Sequence, residues 1–66
     1  MKVLARELKT KDIIKKDGVL YTIMNIVEDN YKNGTPCLGI ECSAGVNKDK
    51  IDSYFCFKLE TKVNIV

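Results

Sequence analysis

Residues 12–26 read DIIKKDGVLYTIMNI: two isoleucines, a Lys-Lys-Asp-Gly punctuation, then a long run of apolar and β-forming side chains. Ile13 and Ile14 form a short strand. Lys16, Asp17 and Gly18 supply the turn, because glycine takes the positive φ that a tight hairpin needs and aspartate can close the loop through its own carboxylate. The strand that returns, residues 19–28, holds Val, Tyr, Thr and Ile in a run free of Gly and Pro, and such side chains suit a pleated, half-buried surface. Neither face of it is cleanly polar. Val19, Tyr21, Ile23 and Val27 share one parity, and Leu20, Met24 and Ile26 the other. A strand of this kind is covered on both sides, or bends so that its two halves serve two sheets.

The flanking segments extend the pattern. In the opening MKVLARELKTKD, Val3, Leu4 and Leu8 sit at helical spacings. Residues 1–8 nevertheless fall short of the ~12 that an unsupported helix needs, and LKTKD reads as a turn, so residues 2–6 are expected as a short strand or extended arm. In EDNYKNGTP, Asn33-Gly34 is a strong turn signal and Pro36 is unsuited to a central strand position; an exposed hairpin connection is expected. CLGIECS, residues 37–43, alternates with Leu38, Ile40 and Cys42 on one side and Cys37, Gly39, Glu41 and Ser43 on the other, the pattern of a half-buried strand. After the polar loop SAGVNKDK, IDSYFCFKL points Ile51, Phe55, Phe57 and Leu59 inward and Asp52, Tyr54, Cys56 and Lys58 outward. Glu60-Thr61 turns the chain into KVNIV, where Val63 and Ile65 alternate with Lys62 and Asn64.

These segments predict an all-β chain: a single small SH3-like barrel or strongly bent antiparallel sheet of five to six short strands over residues 1–66. An open flat sheet would leave one face without a core. At ~60 residues a chain buries only ~60% of its unfolded surface, so one small core is the most it can build. With 45% hydrophobic and 30% charged residues, the composition is that of a folding chain rather than a disordered one.

No apolar run approaches the ~18 residues of a membrane span, and the opening breaks too early for a secretory leader. A cytoplasmic protein without membrane association is expected. Cys37, Cys42 and Cys56 are odd in number and lack paired spacing, so they read as free thiols in a reducing compartment.

The net charge of +2 is unevenly spread. Residues 1–16 set six basic side chains against two acidic ones, giving +4, whereas residues 17–47 set Lys32 against Asp17, Glu28, Asp29 and Glu41, giving −3. A basic end facing an acidic middle fits self-association as well as it fits a phosphate-binding surface.

Catalytic chemistry finds little support. Histidine is absent, which removes the commonest general base and metal ligand. Three cysteines without a C-x2-4-C pair do not make a zinc site. Gly34, Gly39 and Gly45 are scattered, and AGVNKDK lacks the Gly-Lys-Ser/Thr ending of a phosphate loop. No catalytic residue, metal or cofactor is assigned, and an enzyme is not expected.

The succession LKTKDII, KDG, VLYTIMNI, an exposed hairpin loop and three further strands resembles the SH3-like barrel of KOW-type domains. It is similar in particular to the first domain of bacterial elongation factor P, over residues 8–66. That resemblance implies a functional lysine at the tip of the next loop, where Lys32 stands in NYKNGT. In size and pattern the chain also looks like the small orphan barrels of bacteriophages and mobile elements.

The remaining candidates are surface residues: Tyr31 and Lys32 in the hairpin loop, Lys48 and Lys50 in the polar loop, and Tyr54 and Lys58 on the outward face of the last long strand. Small barrels bind single strands with this combination, stacking bases on aromatics and tracking phosphates with lysines. The plainer alternative is that Tyr54 covers a neighbouring strand and the lysines form a solvated face. Two functions are carried forward. One is a non-enzymatic binding module for nucleic acid or a ribonucleoprotein. The other is a protein-interaction or ligand-sequestering factor that inhibits a host machine. In either case a homodimer or higher homo-oligomer is expected, through the long strand or an edge such as KVNIV, because a thin core and open strand edges favour pairing with another copy.

Overall fold

The computed structural model describes residues 1–44 and 50–66. Among the described residues the strands are β1 (Lys2–Leu4), β2 (Ile13–Lys16), β3 (Val19–Asn30), β4 (Pro36–Ala44), β5 (Ser53–Lys58) and β6 (Lys62–Asn64), with a 3-10 turn, Ala5–Glu7, after β1. All pairings are antiparallel. β2-β3-β4-β5 form a four-stranded sheet and β1-β6 a two-stranded one, and the larger sheet curls into a half-barrel. The end of β6 ties the two sheets together: Ile65 bridges to Ile14, and the Val66 N–H donates to the Ile13 carbonyl.

The turns form as their residues require. Asp17 (φ 52°) and Gly18 (φ 79°) both take positive φ between the paired Lys16 and Val19, the geometry of a two-residue type I′ hairpin. At the far end of β3, the Tyr31 N–H donates to the Thr35 carbonyl (2.9 Å) and the Gly34 N–H to the Tyr31 carbonyl (2.8 Å). The Asn33 side chain accepts from the Thr35 N–H (3.0 Å), and Gly34 sits at φ 86°. Thus the 31–35 hairpin is held by its own hydrogen bonds.

The two-faced apolar pattern of β3 has a local cause. Ile23 pairs with Cys42 but Asn25 pairs with Glu41, so Met24 is an extra residue, a β-bulge. One inserted residue exchanges the faces of everything beyond it. Tyr21 and Ile23 therefore pack on the core before the bulge and Ile26 after it. Val27 passes to the opposite face, where it pairs with Gly39.

The core comprises Ala5, Leu8, Ile14, Ile23, Leu38, Ile40, Cys42 and Val63, with Phe55, Phe57, Leu59 and Ile65 packed against it. Tyr21 meets Phe55 edge-on at 4.9 Å between ring centroids, a favoured aromatic arrangement.

Three sequence expectations change. The extended arm expected over residues 2–6 ends at Leu4, and Ala5–Glu7 wind into the 3-10 turn, where the Glu7 carboxylate accepts from the Leu4 N–H. Strand β4 is not half-buried: Cys37, Gly39 and Ser43 on its outer face are buried as well. It lies between β3 and β5; Val27 and Tyr54 close over Gly39, and Cys56 lies against Cys37. Ile51, expected inward, lies ahead of β5 and is 49% exposed, because the alternation that would bury it has not begun.

Ile40 is fully buried, whereas Val19, at the hairpin end, is 43% exposed. Urea titration is expected to show Ile40→Ala costing ~2–5 kcal/mol and Val19→Ala within roughly 0.5 kcal/mol of the parent. Equal losses would contradict this core assignment.

Candidate functional site

The outer face of β3-β4-β5, opposite the core, is a grid set by register. Its rows are Asn25, Glu41 and Tyr54; Val27, Gly39 and Cys56; and Asp29, Cys37 and Lys58. The Asn25 amide donates to the Glu41 carboxylate at 3.0 Å.

The β5 side chains lean one row along the face. Tyr54 stands opposite Glu41 in register but lies over Gly39, where a Cβ would overlap the Tyr54 hydroxyl and the Val27 methyl. Cys56 stands opposite Gly39, yet its Sγ lies 2.9 Å from Cys37 Sγ. The Tyr31 hydroxyl donates a long hydrogen bond, 3.4 Å, to the Cys56 carbonyl, which brings the hairpin loop over β5.

Of the residues singled out from sequence, Tyr31, Lys32 and Lys58 converge, lining a shallow depression with Asn33. Tyr54 shares the face two rows away and is 51% exposed. It both covers Gly39 and presents a free ring surface, so the two sequence readings of Tyr54 are compatible. Lys50 is exposed but does not line the depression. Lys48 lies outside the described residues.

Charge on this face is mixed. Asp29 and Glu41 sit among the grid residues, and Lys58 is opposite Cys37. The pKa of the Tyr54 phenol is raised, first by burial and then by the charges of Cys56, Asp29, Cys37 and Glu41. Burial, followed by the contact with Cys56, raises that of Tyr31. An ordinary phenol is already protonated at neutral pH, and the raised values leave both as neutral hydrogen-bond donors there.

Two groupings were missed from sequence. Lys15, Lys16 and Lys62 gather with Ile14, Phe57 and Val63 at the seam where β6 meets β2, and Lys16 Nζ stands 5.6 Å from the Phe55 ring centroid, within cation–π range. The basic bias of residues 1–16 was a signal for part of this cluster, but the docking of β6 that adds Lys62 was not. The Cys37/Cys56 contact joins residues 19 apart and depends on the β4-β5 register. Among the described residues, no three His, Cys, Asp or Glu side chains are grouped to hold a metal, and no helix is long and apolar enough to cross a membrane.

Compared with known proteins, the chain matches no family model, no curated protein and no solved structure.

The three thiols differ in access. Cys37 and Cys42 are buried and Cys56 is exposed. The hydrogen bond with Cys56, then burial, then the charges of Cys56 and Asp29 push the Cys37 thiol up to about 11. Burial, with a smaller effect of Asp52, pushes Cys42 up to about 11. Since only the thiolate is alkylated, iodoacetamide at pH 8 is expected to label Cys56 alone in the folded protein and all three cysteines in urea. Raising the pH towards 11 then increases labelling at Cys37 and Cys42. Peptide mapping that finds Cys37 or Cys42 labelled as fast as Cys56 at pH 8 would contradict this.

Proposed function

We propose that the chain is a small, non-enzymatic SH3-like barrel that engages single-stranded nucleic acid, alone or within a ribonucleoprotein, on the face formed by the 31–35 loop and β5. The observation that carries this reading is the convergence of Tyr31, Lys32 and Lys58 around one depression, with the exposed ring of Tyr54 on the same face. Aromatic stacking contributes ~1–3 kcal/mol per base without demanding a sequence, and the lysines track the phosphates. A loop closed by its own hydrogen bonds holds Tyr31 and Lys32 in place, so little order has to be imposed on binding. Lys32 lies in the β3–β4 loop, the position at which the resemblance to elongation factor P sets a functional lysine.

A second reading has its own observation. Asp29 and Glu41 in the grid oppose phosphate, and exposed Val27 and Tyr54 beside them suit a polypeptide partner, such as a host protein inhibited by a phage-type factor. Among the described strands β5 pairs on one side only. A peptide or a second copy of the chain fits that edge by strand addition, which would give a homodimer.

An electromobility titration with short single-stranded and duplex oligonucleotides at two salt concentrations separates these readings. The nucleic-acid reading expects single-strand binding that weakens as salt rises, and Lys58→Ala is expected to lower the salt slope by ~0.7. Tyr54→Ala weakens binding at both salts. Absence of binding at low salt refutes this reading and leaves the polypeptide one.

A further inference from the structure

The geometry points to a redox site that the binding reading does not use: Cys37 and Cys56 form a dithiol that low-molecular-weight disulfides of the glutathione type oxidise to an intrachain disulfide joining β4 and β5. The two sulfurs lie 2.9 Å apart, within about 1 Å of the ~2.05 Å disulfide bond length. They reach each other because the Cys56 side chain leans along the face towards Cys37, in the same sense as Tyr54 leans towards Gly39. Both stand on the outer face of adjacent strands, whereas Cys42 belongs to the core on the opposite face and cannot take part.

Access orders the chemistry. Cys56 is exposed, while Cys37 is only 2% exposed, so the external disulfide meets Cys56 first. The Cys56 thiol gives its proton to solvent, and its thiolate attacks one sulfur of the reagent. The reagent's S–S bond breaks, a protein–reagent mixed disulfide forms, and one thiolate leaves and takes up a proton. Cys37, losing its own proton, then attacks the Cys56 sulfur and expels the second reagent thiol. Two cysteine thiols have been oxidised to one disulfide and the reagent reduced to two thiols; excess reduced thiol drives the same steps backwards.

The first step removes part of what opposes the second. The hydrogen bond and charge of Cys56 are among the causes that hold the Cys37 proton on, and both lapse when Cys56 is in the mixed disulfide. Burial and Asp29 from β3 still oppose its thiolate, and Lys58 from β5 stands directly across the register. Tyr31 and Tyr54 stand beside the pair as neutral phenols.

The test is intact mass and peptide mapping of the folded full chain after incubation with oxidised glutathione, quenched in acid. The expected product has lost two hydrogens, carries a Cys37–Cys56 linked peptide and leaves Cys42 free, and reduced glutathione reverses it. Cys42→Ala should behave as the parent. Cys37→Ser should stop at a stable glutathione adduct on Cys56, and Cys56→Ser should remain unmodified. A parent protein that accumulates the glutathione adduct, forms only interchain dimers, or leaves Cys56 unreacted would overturn the proposal. None of these readouts depends on nucleic-acid binding, so the two proposals fail separately.

Discussion

The extra residue at Met24 is the constraint on which the rest depends. A regular β3 of twelve residues would place Ile23 and Ile26 on opposite faces, and one of them would lose the core. The bulge lets both face inward, opposite Cys42 and Ile40. A bulge also bends its strand and increases local twist, in keeping with a four-stranded sheet that curls around so few core side chains. The outer face follows from the same shift. Asn25, Val27 and Asp29 align with Glu41, Gly39 and Cys37 only because the register has moved by one residue.

On that outer face, Gly39 does more than fill a strand position. Its missing side chain leaves room for Tyr54 to lie across β4, and this coverage helps bury the middle of the strand while one surface of the ring stays free. The same lean brings Cys56 to Cys37. The mixed charge of the face, with Asp29 and Glu41 among its lysines, sets the electrostatic balance between a phosphate-bearing partner and a polypeptide one.

Local chemistry was legible in the sequence. Asp17-Gly18 and Asn33-Gly34 announced their turns, and Phe55, Phe57 and Leu59 alternated with Tyr54, Cys56 and Lys58 as they do in the structure. The short inward pair Val63 and Ile65 was also readable, and of the extended start expected over residues 2–6 the part up to Leu4. The apolar content of both faces of β3 signalled a bend or double cover without locating Met24, since no local residue preference marks which position will be left unpaired. The burial of Gly39 and Cys37 on the outer face of β4 depends on neighbours reaching over it from the flanking strands. The Cys37/Cys56 contact and the cluster of Lys15, Lys16 and Lys62 depend on register and docking between segments far apart in sequence, which periodicity does not encode. The candidate residues were found as types, Tyr and Lys at outward or loop positions. That Tyr31, Lys32 and Lys58 share one depression follows from how the 31–35 loop folds back over β5.

The register of β3 on β4 is the most direct point at which to test this account, by cross-strand proton contacts in nuclear magnetic resonance spectra. The account predicts Asn25 opposite Glu41 and Ile26 opposite Ile40, with the methyl groups of both Ile23 and Ile26 in contact with the Ile40 side chain. An unbroken register, with Met24 opposite Glu41, Asn25 opposite Ile40 and the Ile26 methyls near Tyr54 on the outer face, would contradict it.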